Sequence, residues 1–205
     1  MYERFFKRMI DLIISLIALP FVLITIVIMA PIIYINDPGP IFYNALRRGR
    51  KGKNFKMMKF RSMYVNSPDL RNSDGSTFNS DYDPRVTKVG RFMRKTSIDE
   101  IPQLLNMLKG DMSLIGPRPV LVSIPYDELQ GDAKERLDVR PGITGYSQAY
   151  YRNSIGLEDK FKYDCYYVDH ISFLMDIKII IKTIQSVLKR ENIFVSTTSN
   201  SEVKK

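Results

Sequence analysis

From Leu12 to Ile35 the chain reads LIISLIALPFVLITIVIMAPIIYI and carries no charge. About 20 apolar residues suffice for a helix that crosses a bilayer. The pattern then changes. Ile41–Leu46 and Asn54–Phe60 predict two short strands around the turn Gly49-Arg50-Lys51-Gly52. Further on, spacing and end signals predict helices over Arg85–Lys95, Ile98–Lys109, Asp127–Leu137 and Ile171–Arg190, the second stopped by Gly110. In the last of these, Lys178, Lys182, Gln185 and Lys189 form one polar stripe and the remaining faces are apolar. That pattern fits a core helix or a helix lying on a membrane surface. Asn66–Pro84 is rich in Asn, Ser, Asp and Gly and reads as a long solvated loop, its aspartates matching no EF-hand spacing. Ser196–Lys205 reads as a polar, disordered tail.

Charge changes the picture of the apolar run. Arg4, Lys7 and Arg8 precede it, and Arg47, Arg48, Arg50, Lys51, Lys53, Lys56, Lys59 and Arg61 follow it. Basic flanks prefer the cytoplasm, so both ends of the run ask for the same side. Pro20 removes a backbone donor and predicts a kink. A bent helix that enters and leaves by one face satisfies both flanks, with Ser15, Thr25, water or neighbouring protein serving the freed backbone groups. A single span tilted at Pro20 and a buried core helix are the alternatives. A secretory signal fits poorly, because the run is too long and no A-x-A-like cleavage site follows.

Composition narrows the chemistry. The 205 residues suit one domain with a real core. The formal charge of +9 implies acidic partners: nucleic acid, anionic headgroups or phosphorylated small molecules. The one cysteine, Cys165, and the one histidine, His170, argue against disulfides and zinc sites, and no G-x-S-x-G motif is present. Chemistry is left to Asp, Glu, Lys, Arg, Tyr or a metal held by oxygen. In Thr96-Ser97-Ile98-Asp99-Glu100-Ile101-Pro102, Ser97 and Glu100 have the spacing of a helix capping box, which explains Glu100 better than Asp99. Downstream, Gly/Pro-rich turns carry Arg118, Arg140 and Arg152, whose forked side chains match phosphate oxygens. A membrane-anchored nucleic-acid binder would use the same charge. Only Phe55 and Phe60 lie near the densest basic cluster, however, and no nucleic-acid motif occurs. A non-catalytic scaffold would leave the acidic pair as a cap.

The segments DPGPIFYN, RRGRKGKNFKMMKFRSM, DPRVTKVGRFMRKTSIDEIPQLLNMLKGDMSLIGPRP, VRPGITGYSQ and FKYDCYYVDHISFLMDIKIIIKTI resemble the bacterial sugar transferase family, over about Tyr2 to Phe194. These are the monotopic phosphoglycosyl transferases, and the chain resembles their minimal catalytic form. The resemblance implies an α+β fold: a helix-dominated cytoplasmic domain with a small antiparallel β-hairpin, anchored by an N-terminal re-entrant membrane helix. It divides the chain into membrane helix 1–38, catalytic domain 39–194 and tail 195–205. It implies transfer of a sugar phosphate from a UDP-sugar to undecaprenyl phosphate with release of UMP, at the cytoplasmic face of the inner membrane. This is the first membrane step of capsule, exopolysaccharide or glycoprotein glycan assembly, with membrane lipids and downstream glycosyltransferases as partners and no nucleic acid. Asp99 is the implied nucleophile, forming a covalent phosphosugar intermediate. Glu100, with Asp99, is implied to bind Mg2+. Lys59, Arg61, Arg118, Arg140 and Arg152 are the candidate phosphate-binding residues. Two positions depart from the family. Leu19 stands before Pro20 where many relatives have Ser, with Pro31 a second candidate bend, and Tyr151 stands before Arg152-Asn153 where relatives often have Gly.

Overall fold

The computed structural model describes residues 2–70, 78, 80, 82–152 and 154–189. A π-helical turn, Tyr2–Phe6, leads into helix α1 (Lys7–Asn36), which is long and apolar enough to cross a membrane. The backbone remains helical through Pro20 and Pro31. Ser15 and Thr25 do not serve the carbonyl that Pro20 frees. They donate to Asp11 O and Phe21 O, both at 2.7 Å.

At about 1.5 Å rise per residue α1 is about 45 Å long, yet both its ends are tied to the rest of the chain. At its start Lys7 pairs with Asp176 at 2.5 Å, and Arg8 donates to Met107 O and Leu108 O at 2.7 and 3.0 Å. Asp11 accepts from Ser113 Oγ and Leu114 N at 3.1 and 2.9 Å. At its end Met29 and Ile33 pack with Phe60 and Met93, and Arg61 pairs with Asp37 at 3.2 Å. Asp11, Ser15, Val22, Met29 and Ile33 form the buried stripe, while Leu16, Phe21, Val27 and Ile35 point outward.

Strands β1 (Phe42–Arg48) and β2 (Asn54–Phe60) form the expected antiparallel hairpin, with Phe42 opposite Phe60 and Arg48 opposite Asn54. Alternation seats Phe55 and Met57 on one face, while Phe60, of the opposite parity, packs on the other side with Met29, Ile33 and Met93. Downstream, β3 (Ser113–Ile115) and β4 (Val120–Leu121) flank the Gly116–Pro119 turn. β4 extends the hairpin by pairing antiparallel with β1, whereas β3 pairs in parallel with β5 (Gly142–Thr144). That parallel pair brings glycine backbones together: a Cβ on Gly142 would lie 2.1 Å from Gly116 N.

The remaining helices are α2 (Lys88–Thr96), α3 (Gln103–Lys109), α4 (Asp132–Glu135), α5 (Tyr146–Tyr150), α6 (Leu157–Asp169) and α7 (Phe173–Leu188). Thr87 caps α2 and Ser172 caps α7 through their hydroxyls. The helix expected over Asp127–Leu137 is split into a 3-10 turn, Tyr126–Glu128, and α4, with Gly131 at φ 51° between them. Helix α7 contributes one face to the core and exposes another. Asp176, Ile179 and Ser186 are buried, but Phe173, Leu174, Ile181, Ile184 and Leu188 are exposed. One apolar cluster joins α1, β2 and α2 through Met29, Phe60 and Met93; another joins β3, α5, α6 and α7 through Ile115, Ala149, Tyr167 and Ile179. The tail, and 71–77 of the long loop, lie outside the described residues.

Candidate active site

Helix α2 ends at Ser97, which adopts φ 58° and closes the last turn through its N–H to Arg94 O and Met93 O. Having capped the preceding helix, Ser97 makes no side-chain cap to the next one. The capping box and the single helix expected over Ile98–Lys109 therefore do not form. Ile98–Glu100 is one 3-10 turn, and α3 starts only after Pro102. Ile98 packs against the Met29–Phe60–Met93 cluster, which fixes the backbone beside Asp99. Lys59 precedes Phe60 of the same cluster. Two apolar anchors thus bring an acid and a base to one place.

Lys59 Nζ lies 2.5 Å from Glu100 Oε1, and Arg118 Nη2 lies 3.3 Å from the same oxygen. Asp99 is 8% exposed, and among the described residues none donates a hydrogen bond to its carboxylate. All four line one cleft of about 1610 Å³, which continues past Arg94 and Ser97 to Gln148, Arg152, Lys160 and Thr183. Typical small-molecule sites occupy about 300–1,000 Å³, so this cleft is larger than one small ligand requires.

The two carboxylates titrate in opposite directions. Burial raises Asp99 above its ordinary 3.8; Lys59 opposes the rise and the neighbouring charge of Glu100 adds to it. Burial also disfavours ionised Glu100, but Lys59 and Arg118 outweigh it and hold that carboxyl at about 2. Adjacent acids driven apart in this way can take different roles.

The candidate phosphate-binding cations divide. Lys59 and Arg118 meet at the acidic pair. Arg61 lines the cleft but is 8% exposed and spent on Asp37, pairing with its carboxylate and donating to its carbonyl, so it fastens the end of α1 to β2. Arg152 lines the cleft with its backbone at φ 48°. Arg140 does not line it. Its Nε donates to Gly110 O at 3.1 Å, and with Arg8 it occupies the carbonyl end of α3, where the helix dipole favours cations. Sequence reasoning missed Arg94, which donates to Ser62 Oγ at 2.9 Å and contributes positive charge at Asp99. Gly90 allows this approach: a Cβ there would lie 1.9 Å from Ser62 O. A glycine one turn before an arginine is too common a pattern to have marked the pair.

The acidic pair fits a hard divalent cation. Both cations bond Oε1 of Glu100, which leaves Oε2 and the whole Asp99 carboxylate as open oxygen ligands. The loop aspartate Asp83 is committed elsewhere, in a buried pair with Arg85 at 2.7 Å.

Comparison with known proteins bears on this arrangement. The family model for bacterial sugar transferases matches residues 2–190. The chain is 42% identical over 189 residues to an uncharacterized sugar transferase, EpsL, of Bacillus subtilis (strain 168), covering 91% of this chain and 89% of that one. It is 39% identical over 208 residues to the undecaprenyl-phosphate galactose phosphotransferase of Salmonella typhimurium, covering 94% of this chain and 42% of that one. It is 38% identical over 189 residues to the UDP-N-acetylgalactosamine-undecaprenyl-phosphate N-acetylgalactosaminephosphotransferase of Aeromonas hydrophila, covering 90% and 44%. The chain thus spans most of EpsL and less than half the length of the other two. The apolar helix, the acidic pair and its cationic partners all fall inside the matched span, and the chain belongs to the bacterial sugar transferase family.

Proposed function

We propose that the protein transfers a sugar phosphate from a UDP-sugar to undecaprenyl phosphate, with release of UMP, through a covalent bond to Asp99. The observation that carries this reading is the Asp99 carboxylate, which lines the cleft and accepts no hydrogen bond among the described residues, beside a Glu100 kept ionised by Lys59 and Arg118. An Asp99 oxygen attacks the phosphorus that bears the sugar. The bond from that phosphorus to the bridging oxygen breaks, and UMP leaves with the electron pair. An oxygen of undecaprenyl phosphate then attacks the same phosphorus, the bond to Asp99 breaks, and the carboxylate is regenerated. Lys59 and Arg118 supply fixed positive charge where charge develops on the phosphate oxygens. Arg94 favours the ionised form of Asp99. A magnesium ion held by Asp99 and Glu100 Oε2 would screen the pyrophosphate from the attacking carboxylate.

The same reading puts the enzyme on the cytoplasmic membrane with both ends of α1 on the cytoplasmic face, as the first membrane step of cell-surface polysaccharide or glycoconjugate assembly. The attachment of both helix ends to one domain supports this. Galactose, glucose, N-acetylglucosamine and modified amino sugars are all compatible donors. The test is a panel of UDP-sugars assayed for UMP release with undecaprenyl phosphate and magnesium. One donor should turn over, chelator should stop it, and magnesium should restore it. Full activity in excess chelator would remove the metal from the mechanism; no UMP from any donor would contradict the transfer itself.

A further inference from the structure

A buried ion pair in the wall of the same cleft reaches back to the acidic pair. Arg136, at the end of α4, is 2% exposed, and Asp164, in α6, is 1% exposed. Arg136 Nε and Nη2 donate to Asp164 Oδ2 at 3.0 and 2.5 Å, and Ser147 Oγ of α5 donates to Asp164 Oδ1 at 2.7 Å. The guanidinium also lies 4.6 Å from the centre of the Phe161 ring. Its Nη2 makes one further bond, at 2.6 Å, to the main-chain carbonyl of Arg118.

Stability alone does not account for this pair. Desolvating two charges is expensive, and apolar residues of similar volume often replace a buried ion pair without loss. What the pair does hold is the Gly116-Pro117-Arg118-Pro119 turn. The Arg118 side chain is half exposed, and among the described residues Glu100 is its only ion-pair partner. Arg136, itself held by α6 through Asp164, which α5 anchors through Ser147, therefore bonds the carbonyl next to the Cα of a long side chain that must reach one carboxylate oxygen.

We infer that Arg136, locked by Asp164, is a positioning residue that aims Arg118 at Glu100; the inference rests on the transfer reaction proposed above. Misplacement of a catalytic contact by about 1 Å can lower a rate on the order of 10²-fold.

The test uses full-length protein in lipid. Arg136→Lys keeps the charge but loses the fork that spans Asp164 and Arg118 O. Arg136→Met with Asp164→Leu removes the buried pair and keeps the volume, so a folded variant is at hand if the single one is unstable. Each should lower kcat/KM for UMP release by about 10²-fold. Arg118→Ala added to the apolar exchange should cost little more, because both changes act through one contact. A merely structural pair would give multiplying losses. Hydrogen exchange at Gly116–Val120, measured on the same samples, should be faster in both variants and unchanged in α1. That readout is independent of turnover: wild-type protein that releases no UMP would contradict the transfer, and the clamp would stand or fall on exchange alone. Wild-type rates, multiplying losses, or exchange unchanged at Gly116–Val120 would each overturn it.

Discussion

At Asp99 and Glu100 the same two forces, burial and neighbouring charge, reach opposite balances. Glu100 is lowered to about 2, so its ionised form supports folding above its ordinary 4.5, and that support is lost as pH falls through about 2. Asp99 is raised, so it opposes folding when ionised, and that penalty fades as pH falls through its native value. The attacking group must be ionised, so the acid limb of kcat/KM for UMP release should lie above the ordinary 3.8 of an aspartate. Glu100→Gln should move that limb down, since the Glu100 charge raises Asp99, and Lys59→Met should move it up. A limb that ignores both changes would mean that another group limits the rate. Arg140 supplies a contrasting test. As a cap on α3, Arg140→Gln should lower stability by about 1 kcal/mol in thermal unfolding and leave KM for the UDP-sugar unchanged. A raised KM with unchanged stability would return Arg140 to phosphate binding. The sequence could not separate these roles. A Gly/Pro turn that presents an arginine reads the same whether the side chain meets a phosphate, as Arg118 is proposed to do, or a helix carbonyl, as Arg140 does.

At the scale of elements, the hairpin was legible because two short apolar-polar runs flank the turn Gly49-Arg50-Lys51-Gly52, with Phe55 and Met57 alternating in the second, and these are local signals. The Ile98–Glu100 turn was not, because the S-x-x-E pattern competes with a demand from the opposite direction: Ser97 is already used to end α2 in the left-handed region. The Arg136–Asp164 pair spans 28 residues and had no local trace at all. Helix α1 stays helical through Pro20, where the sequence predicts a kink. Its attachments at Lys7, Arg8 and Asp11 on one side and Asp37 on the other carry a topological consequence. Cysteines placed at exposed Glu3 and at Lys162 should both resist a membrane-impermeant maleimide in intact cells and both react after lysis. Cys165 is buried and should contribute little background. Labelling of Glu3→Cys alone in intact cells would restore a single span.

Over the whole molecule, apolar surface is concentrated on two helices. The outer face of α1 and the exposed face of α7 begin side by side, joined by the Lys7–Asp176 pair and the edge-on contact of Tyr2 with Phe173. If α7 meets lipid, Leu174→Glu with Ile181→Glu should weaken flotation with vesicles while α1 is intact, and more so when anionic lipid is omitted, given the net charge of +9. Flotation equal to wild type would leave α1 as the sole anchor. The chemistry is tested most directly by mass. Protein mixed with magnesium and the productive UDP-sugar, but no lipid acceptor, should release a burst of about one UMP per enzyme. Its intact mass should rise by one sugar phosphate, peptide mapping should put the adduct on Asp99, and Asp99→Asn should fold without forming it. UMP that appears only when undecaprenyl phosphate is present, with no adduct at any concentration of donor, would contradict the covalent route and favour direct transfer between the two substrates.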